Sequence, residues 1–165
     1  MRRPMPLPTG PDQESVWDYP RPPRLEPVPE RVRVVFDGEV VADTTAAWRV
    51  LETSHPPTYY LPRVSIRAGT LEPAGGGSVC EWKGRAVYFD VVGRRGRAER
   101  AAWAYPCPTP AFAPVAGHVA FYAGRMDACY VGEERVTPQP GGFYGGWVTE
   151  RIVGPFKGEP GTADW

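Results

Sequence analysis

Three observations on this 165-residue sequence predict an all-β fold with little helix. Its 19 glycines and 21 prolines interrupt the chain too often for long helices. Between those breaks lie short runs rich in Val, Tyr, Trp and Phe, the residue types that suit a pleated, half-buried surface. At two places, Asp37-Gly38 and Lys83-Gly84, a turn-forming dipeptide separates two such runs, as in a hairpin.

Taken in order, residues 1–30 form a Pro-rich arm, residues 31–135 the β domain and residues 136–165 a tail. The arm holds nine prolines, yet it also carries Val16, Trp17, Tyr19 and Leu25. The tail carries Phe143, Tyr144, Trp147, Ile152, Val153 and Phe156. Burying a large aromatic returns about 2 to 3 kcal/mol, and proline lowers the entropy cost of ordering because its φ is already set. Trp17, Tyr19 and the tail aromatics are therefore expected to dock on the domain, with Phe143, Tyr144 and Trp147 narrowing the mouth of a cleft.

The first hairpin is Arg31–Phe36, Asp37-Gly38, Glu39–Ala42, with Asp-Gly taking the positive φ values of a type I′ turn. Thr44–Glu52 suits either a short helix capped by Thr44 or a strand with Trp48 and Val50 on one face, and is taken as a strand. Thr58–Leu61 is a strand stopped at Pro62, and residues 73–78 read as a flexible Gly-rich loop. In the second hairpin a Lys83-Gly84 turn sets Trp82 opposite Arg85 and Cys80 opposite Val87, leaving Glu81, Ala86, Tyr88 and Asp90 on the other face. Arg94, Arg95, Arg97 and Arg100 crowd a glycine-broken segment that reads as a solvated turn rather than an anion site. Ala101–Tyr105, Val119–Tyr122 and Asp127–Val131 supply the remaining strands.

Lys plus Arg and Asp plus Glu number 19 each, so the whole chain lacks the charge footprint of a nucleic-acid binder. No run approaches a membrane span, and the start MRRPMPLPTG has prolines where a signal peptide needs an apolar stretch, which predicts a soluble cytoplasmic protein. Cys80, Cys107 and Cys129 cannot all pair within one chain and form no C-x-x-C, which argues for reduced thiols. With His55 and His118 they are too scattered for a zinc site, so no metal and no cofactor are expected. Neither histidine has a nucleophile-elbow partner, and Cys80 and Cys129 read as small buried hydrophobes in strands.

Six Trp and eight Tyr exceed the needs of a small core. Tyr59 and Tyr60 point to opposite faces of an extended segment, so one can pack inward while the other lines a cleft. With Lys83, Tyr88, Trp103 and Tyr105 they compose a candidate aromatic-walled site for a small molecule, stiffened by Pro56, Pro57 and Pro62, with Glu52 and His55 as secondary members. Two readings stay open. In one, the cleft binds a small molecule, Lys83 meeting an anionic or carbonyl group, with or without a reaction that the residues do not name. In the other, the aromatics join two sheets and the exposed surface with the arm docks another protein or a second copy of this chain.

The run RVRVVFDGEVVADT at 31–44, PPTYYLPR at 56–63, the C-x-x-K-G-x-A-x-Y hairpin at Cys80–Tyr88, AWAYPCP at 102–108 and GHVAFY at 117–122 resemble the DUF427 family of uncharacterised bacterial proteins. The flanks SVWDYPRPPRLE and GGFYGGWVTERIVGPFKGEPGT resemble its longer, actinobacterial-type members. The resemblance implies a compact β-tent (Mss4-like) arrangement of sheets, akin also to methionine sulfoxide reductase B, and no activity. This chain has Glu81 where a proline commonly follows the cysteine and His118 where many members carry tyrosine, so neither is assigned to the pocket. Related tent folds hold zinc through two C-x-x-C pairs, which are missing here. Some family members carry a nucleotidyltransferase label. That chemistry needs carboxylates such as D-x-D after the Gly-Ser loop, and after GGGS at 75–78 come only Glu81 and Asp90. The P-loop pattern is also missing.

Overall fold

The computed structural model describes residues 3–80 and 82–165. Two antiparallel sheets account for most of it. The larger has seven strands, in spatial order Arg24–Pro27, Trp48–Leu51, Thr58–Pro62, His118–Phe121, Arg97–Ala104, Gly84–Val92 and Leu71–Cys80. The smaller has four, Glu134–Arg135, Ala128–Val131, Val32–Phe36 and Glu39–Thr44. The prediction of an all-β protein holds. Helical structure is limited to short 3-10 segments, of which Pro110–Val115 is the longest. No helix among the described residues is long and apolar enough to cross a membrane.

The first hairpin forms as its turn chemistry requires, with φ of 51° at Asp37 and 76° at Gly38. Between Thr44 and Glu52 the strand reading prevails over Trp48–Leu51, and the Thr44 Oγ1 accepts the Ala46 N–H at 2.9 Å in a local turn that starts no helix. Two readings are corrected. Residues 73–78 are not a loop: they lie inside the strand Leu71–Cys80, whose register shifts between Pro73 and Gly77. Glycine permits this because a Cβ on Gly77 would come within 2.9 Å of the Ala86 carbonyl oxygen. The second correction is the register of the hairpin that follows.

Cys80 pairs with Gly84, so the connection is residues 81–83 and Val87 lies opposite Gly77. The tertiary fold selects this longer turn. The Thr109 N–H donates to the Lys83 carbonyl at 3.1 Å, and the Thr109 hydroxyl donates to the carbonyl of Trp82. The shift moves Cys80 onto the same face as Ala86 and Tyr88, because an odd slip exchanges the faces of a strand. Glu81, placed on that face by the sequence reading, lies outside the described residues.

Period-2 alternation gives the seven-stranded sheet two different faces. On one, Tyr59, Leu61, Phe89, Val91, Val119 and Phe121 pack against Val32, Val34, Val41, Ala42 and Cys129 of the smaller sheet, and this is the main core. On the other, Val50, Tyr60, Ala86, Trp103, Tyr105 and Ala120 form a second cluster with Phe112 and Val115. A third cluster joins Val16, Trp17 and Tyr19 to Leu51 and Ile152, with Phe156 and Trp165 packed against it. Glu14–Ser15 pairs in parallel with Ile152–Val153, and the Trp17 indole N–H donates to the Pro155 carbonyl at 2.9 Å. Arm and tail thus meet along one margin of the large sheet.

Candidate functional site

The second face is not covered by another sheet. A cleft of about 600 Å³ opens over it, floored by Tyr60, Trp103 and Tyr88. Cross-strand pairing sets part of this floor, since Trp103 lies between Ala120 on one neighbouring strand and Tyr88 on the other. The walls come from loops: His55 and Pro56 before the strand Thr58–Pro62, Trp82 and Lys83 in the hairpin turn, Tyr144 and Gly145 in the tail. Gly145 is required there, because a Cβ at that position would overlap the Trp103 ring.

Five of the six residues proposed from the sequence come together: Tyr60, Lys83, Tyr88, Trp103 and Tyr105 all line the cleft. Tyr59 does not. It lies on the opposite face, its ring stacked on Trp147 with centroids 5.0 Å apart, because adjacent strand residues alternate. The secondary members Glu52 and His55 also line the cleft, as does Cys80 after its change of face. Cys107 is exposed and Cys129 is buried in the core. His118 pairs opposite Pro62 at the strand edge, away from the cleft-lining residues. Of the tail aromatics expected to narrow the cleft mouth, Phe143 and Tyr144 line the cleft, Phe143 with 76% of its surface exposed, whereas Trp147 is fully buried in the core between the sheets. No three His, Cys, Asp or Glu side chains among the described residues cluster as a metal site requires.

The polar groups of the cleft form a distinct pattern. Gln139 accepts the Gly146 N–H on its Oε1 at 3.0 Å, so its amide nitrogen is the donor to His55 Nδ1 at 3.0 Å and to the Lys157 carbonyl at 2.8 Å. His55 Nδ1 is therefore an acceptor, and the ring proton sits on Nε2, 3.7 Å from Glu52 Oε2. Burial first, then the cations Lys157, Arg21 and Lys83, push the His55 pKa down to about 3. At neutral pH His55 is an uncharged donor and not a base. Glu52 is the one carboxylate side chain among the described residues that line the cleft.

Lys83 reaches over the Tyr105 ring, its Nζ 5.6 Å from the centroid, and Lys157 stands at the same distance over Tyr144. Arg21 donates to the carbonyl of Thr53 at 3.0 Å and to the main-chain oxygen of Trp165 at 3.1 Å, which also accepts from Lys157 Nζ at 3.3 Å. Among the described residues no Asp or Glu side chain pairs with Arg21, Lys83 or Lys157. The tyrosine hydroxyls differ in occupation. Tyr88 shares a hydrogen bond with Ser78 Oγ at 2.9 Å and Tyr122 donates to the Phe143 carbonyl at 3.2 Å. Burial raises the pKa of Tyr60 and Tyr105, so both stay protonated.

Arg21, Lys157, Trp82, Tyr122 and Gln139 were not anticipated from the sequence. Arg21 and Lys157 belong to the arm and the tail, and nothing in local periodicity brings those segments to one place. Trp82 carried a signal, as a large aromatic beside Lys83 in a turn, where an apolar ring needs cover.

A family model described as a domain of unknown function (DUF427) matches residues 24–132. None of the curated proteins compared with the chain matches it. The matched segment contains the floor of the cleft and Lys83, whereas Arg21, Gln139, Tyr144 and Lys157 lie outside it.

Proposed function

This chain belongs to the DUF427 family, and from the cleft itself we propose that it binds a small organic anion whose flat apolar body lies among the aromatic side chains. The observation that carries this reading is a local charge imbalance. Arg21, Lys83 and Lys157 converge on a cleft whose one lining Asp or Glu side chain among the described residues is Glu52, in a chain of zero net charge, with Arg21 and Lys157 also sharing the main-chain oxygen of Trp165. Cations beside aromatic walls attract an anion and stack its planar part, and a concave site of several hundred cubic ångströms is the usual size for a small ligand. The neutral His55 adds a donor without adding an acceptor at Nε2. A donor-rich cleft suits an acceptor-rich ligand.

Isothermal titration with naphthoate and with naphthylmethylammonium, equal in aromatic surface and opposite in charge, tests the reading. Naphthoate should bind and the cation should not, with affinity falling as salt rises. Equal binding of both would remove the electrostatic argument. No binding, together with a molecular mass that rises with protein concentration, would instead favour a second copy of the chain as the occupant of this face.

A further inference from the structure

We propose that the Tyr60 hydroxyl is the deep hydrogen-bond donor of the cleft, so that the ligand carries a second acceptor, a carbonyl or ether oxygen, at the end remote from its negative charge. This rests on the anion-binding reading above. Tyr60 has no exposed surface and stands on an interior strand of the large sheet, Thr58–Pro62, with the Tyr105 ring 6.3 Å away. Its hydroxyl has no hydrogen-bond partner among the described residues. Tyr60 belongs to the outer-face cluster and lines the cleft together with Trp103, Cys80, Glu52 and Tyr122, so its hydroxyl, buried from water, lies on the cleft side of the sheet and not in the core between the sheets. The Trp103 indole N–H is near enough to favour the charged form, second only to the opposing effect of burial, but it does not reach hydrogen-bond geometry, and no side chain among those described completes a bond to the oxygen.

Among the tyrosines that line the cleft, Tyr60 alone has a hydroxyl both buried and unpaired among the described residues, for those of Tyr105 and Tyr144, also without a partner, are not closed off from solvent. Tyr88 and Tyr122 direct their hydroxyls to Ser78 and Phe143, and Tyr19, on the arm, directs its own to Glu14 at 2.6 Å. The remaining buried side-chain atoms without partners, Arg33 Nε and Thr70 Oγ1, belong to residues that do not line the cleft. Phenylalanine would fill the same apolar space at position 60 without desolvating an unpaired polar atom, so the hydroxyl weakens the fold unless something accepts its proton. Such local inconsistencies concentrate at functional sites.

The experiment compares para-acetylbenzoate with para-ethylbenzoate, which match in shape and charge while only the first has an acceptor opposite its carboxylate. Wild-type protein should bind the acetyl compound roughly 3- to 10-fold more tightly, the contribution of one net hydrogen bond. Tyr60→Phe should erase that preference, chiefly by weakening the acetyl compound, and should unfold at a temperature no lower than wild type. A preference that persists in Tyr60→Phe, or an unfolding temperature several degrees lower, would overturn the proposal, the latter by showing that the protein itself uses the hydroxyl. Equal binding of both compounds by wild type overturns this inference and leaves the anion-binding reading intact. Binding of neither overturns both.

Discussion

Tyr59 and Tyr60 are adjacent and chemically identical, yet they belong to opposite faces of the large sheet and end in different surroundings. On the inner face Tyr59 stacks on Trp147, whose own indole N–H donates to the Phe121 carbonyl at 3.0 Å. That face is closed by the smaller sheet, and its polar margin is neutralised: Arg49, opposite Tyr59, pairs with Glu26 and with Glu14 of the arm. On the outer face Tyr60 meets aromatic neighbours but no hydrogen-bond partner among the described residues, beside Arg21, Lys83 and Lys157, which pair there with no Asp or Glu side chain. The inner face is complete as it stands. The outer face has the composition of a surface that needs something else, which is why function is sought there and not in the core.

Several substitutions would break or sharpen this contrast. The largest effect should come from Trp147→Ala, since the indole is fully buried between the sheets. A loss of about 3 to 5 kcal/mol is expected in denaturant unfolding, and a loss under about 1 kcal/mol would show that the inner face is not the stabilising one. Arg49→Ala tests the polar margin. Its side chain is 7% exposed while Glu14 and Glu26 keep 26% and 31%. The cost should therefore be about 2 kcal/mol, below the range for a fully buried pair, and Arg49→Lys should recover only part of it because the lysine cannot span both carboxylates.

On the outer face the expected effects are pH-dependent or small. The folded His55 pKa of about 3 lies below its unfolded value, so between roughly pH 6.5 and 3 the unfolded chain takes up a proton that the folded chain refuses. Stability should fall as pH drops through that window, by up to ~1.4 kcal/mol per pH unit from this group. Asp37, Glu39, Asp43 and Asp90, all held below the usual carboxylate range by arginine side chains or neighbouring backbone N–H groups, add a further loss in acid. The difference between wild type and His55→Asn isolates the histidine: the variant should show the shallower acid slope, and parallel curves would mean that His55 is not held neutral. The smallest effect on stability should be that of Lys83→Ala, within about 0.5 kcal/mol, as for a side chain outside the core. The same variant should weaken naphthoate binding, and unchanged affinity would remove Lys83 from the site.

How far these features could be read in advance depends on the range of the interaction. Asp37-Gly38 specifies its own turn through positive φ, and the alternation around Tyr59-Tyr60 specifies that the two rings part, because both effects act within a few residues. Tyr60, Lys83, Tyr88, Trp103 and Tyr105 were recognisable as a group for the same reason, each being an aromatic or cationic residue on a legible strand or turn. Which of Tyr59 and Tyr60 faces the cleft was not legible, since alternation separates two faces without saying which one the smaller sheet will cover. Likewise GGGS at 75–78 looks like a loop by composition, and lies within a strand only because the neighbouring strand pairs with Gly77 and Ser78 past the register shift that takes in Gly75 and Gly76.

The amino-acid sequence by itself therefore determined the class of fold, the hairpins' existence and the aromatic character of the candidate site, all consequences of local propensity and period. Only the tertiary structure decided the register at Cys80, where Thr109 selects the turn, and the convergence of Arg21 and Lys157 with Lys83. Those charges come from positions 21, 83 and 157, and no short-range rule relates them. They meet because Trp17, Leu51, Ile152 and Phe156 are buried in one apolar cluster, which fixes arm and tail along the same margin of the sheet and carries their cations to the cleft.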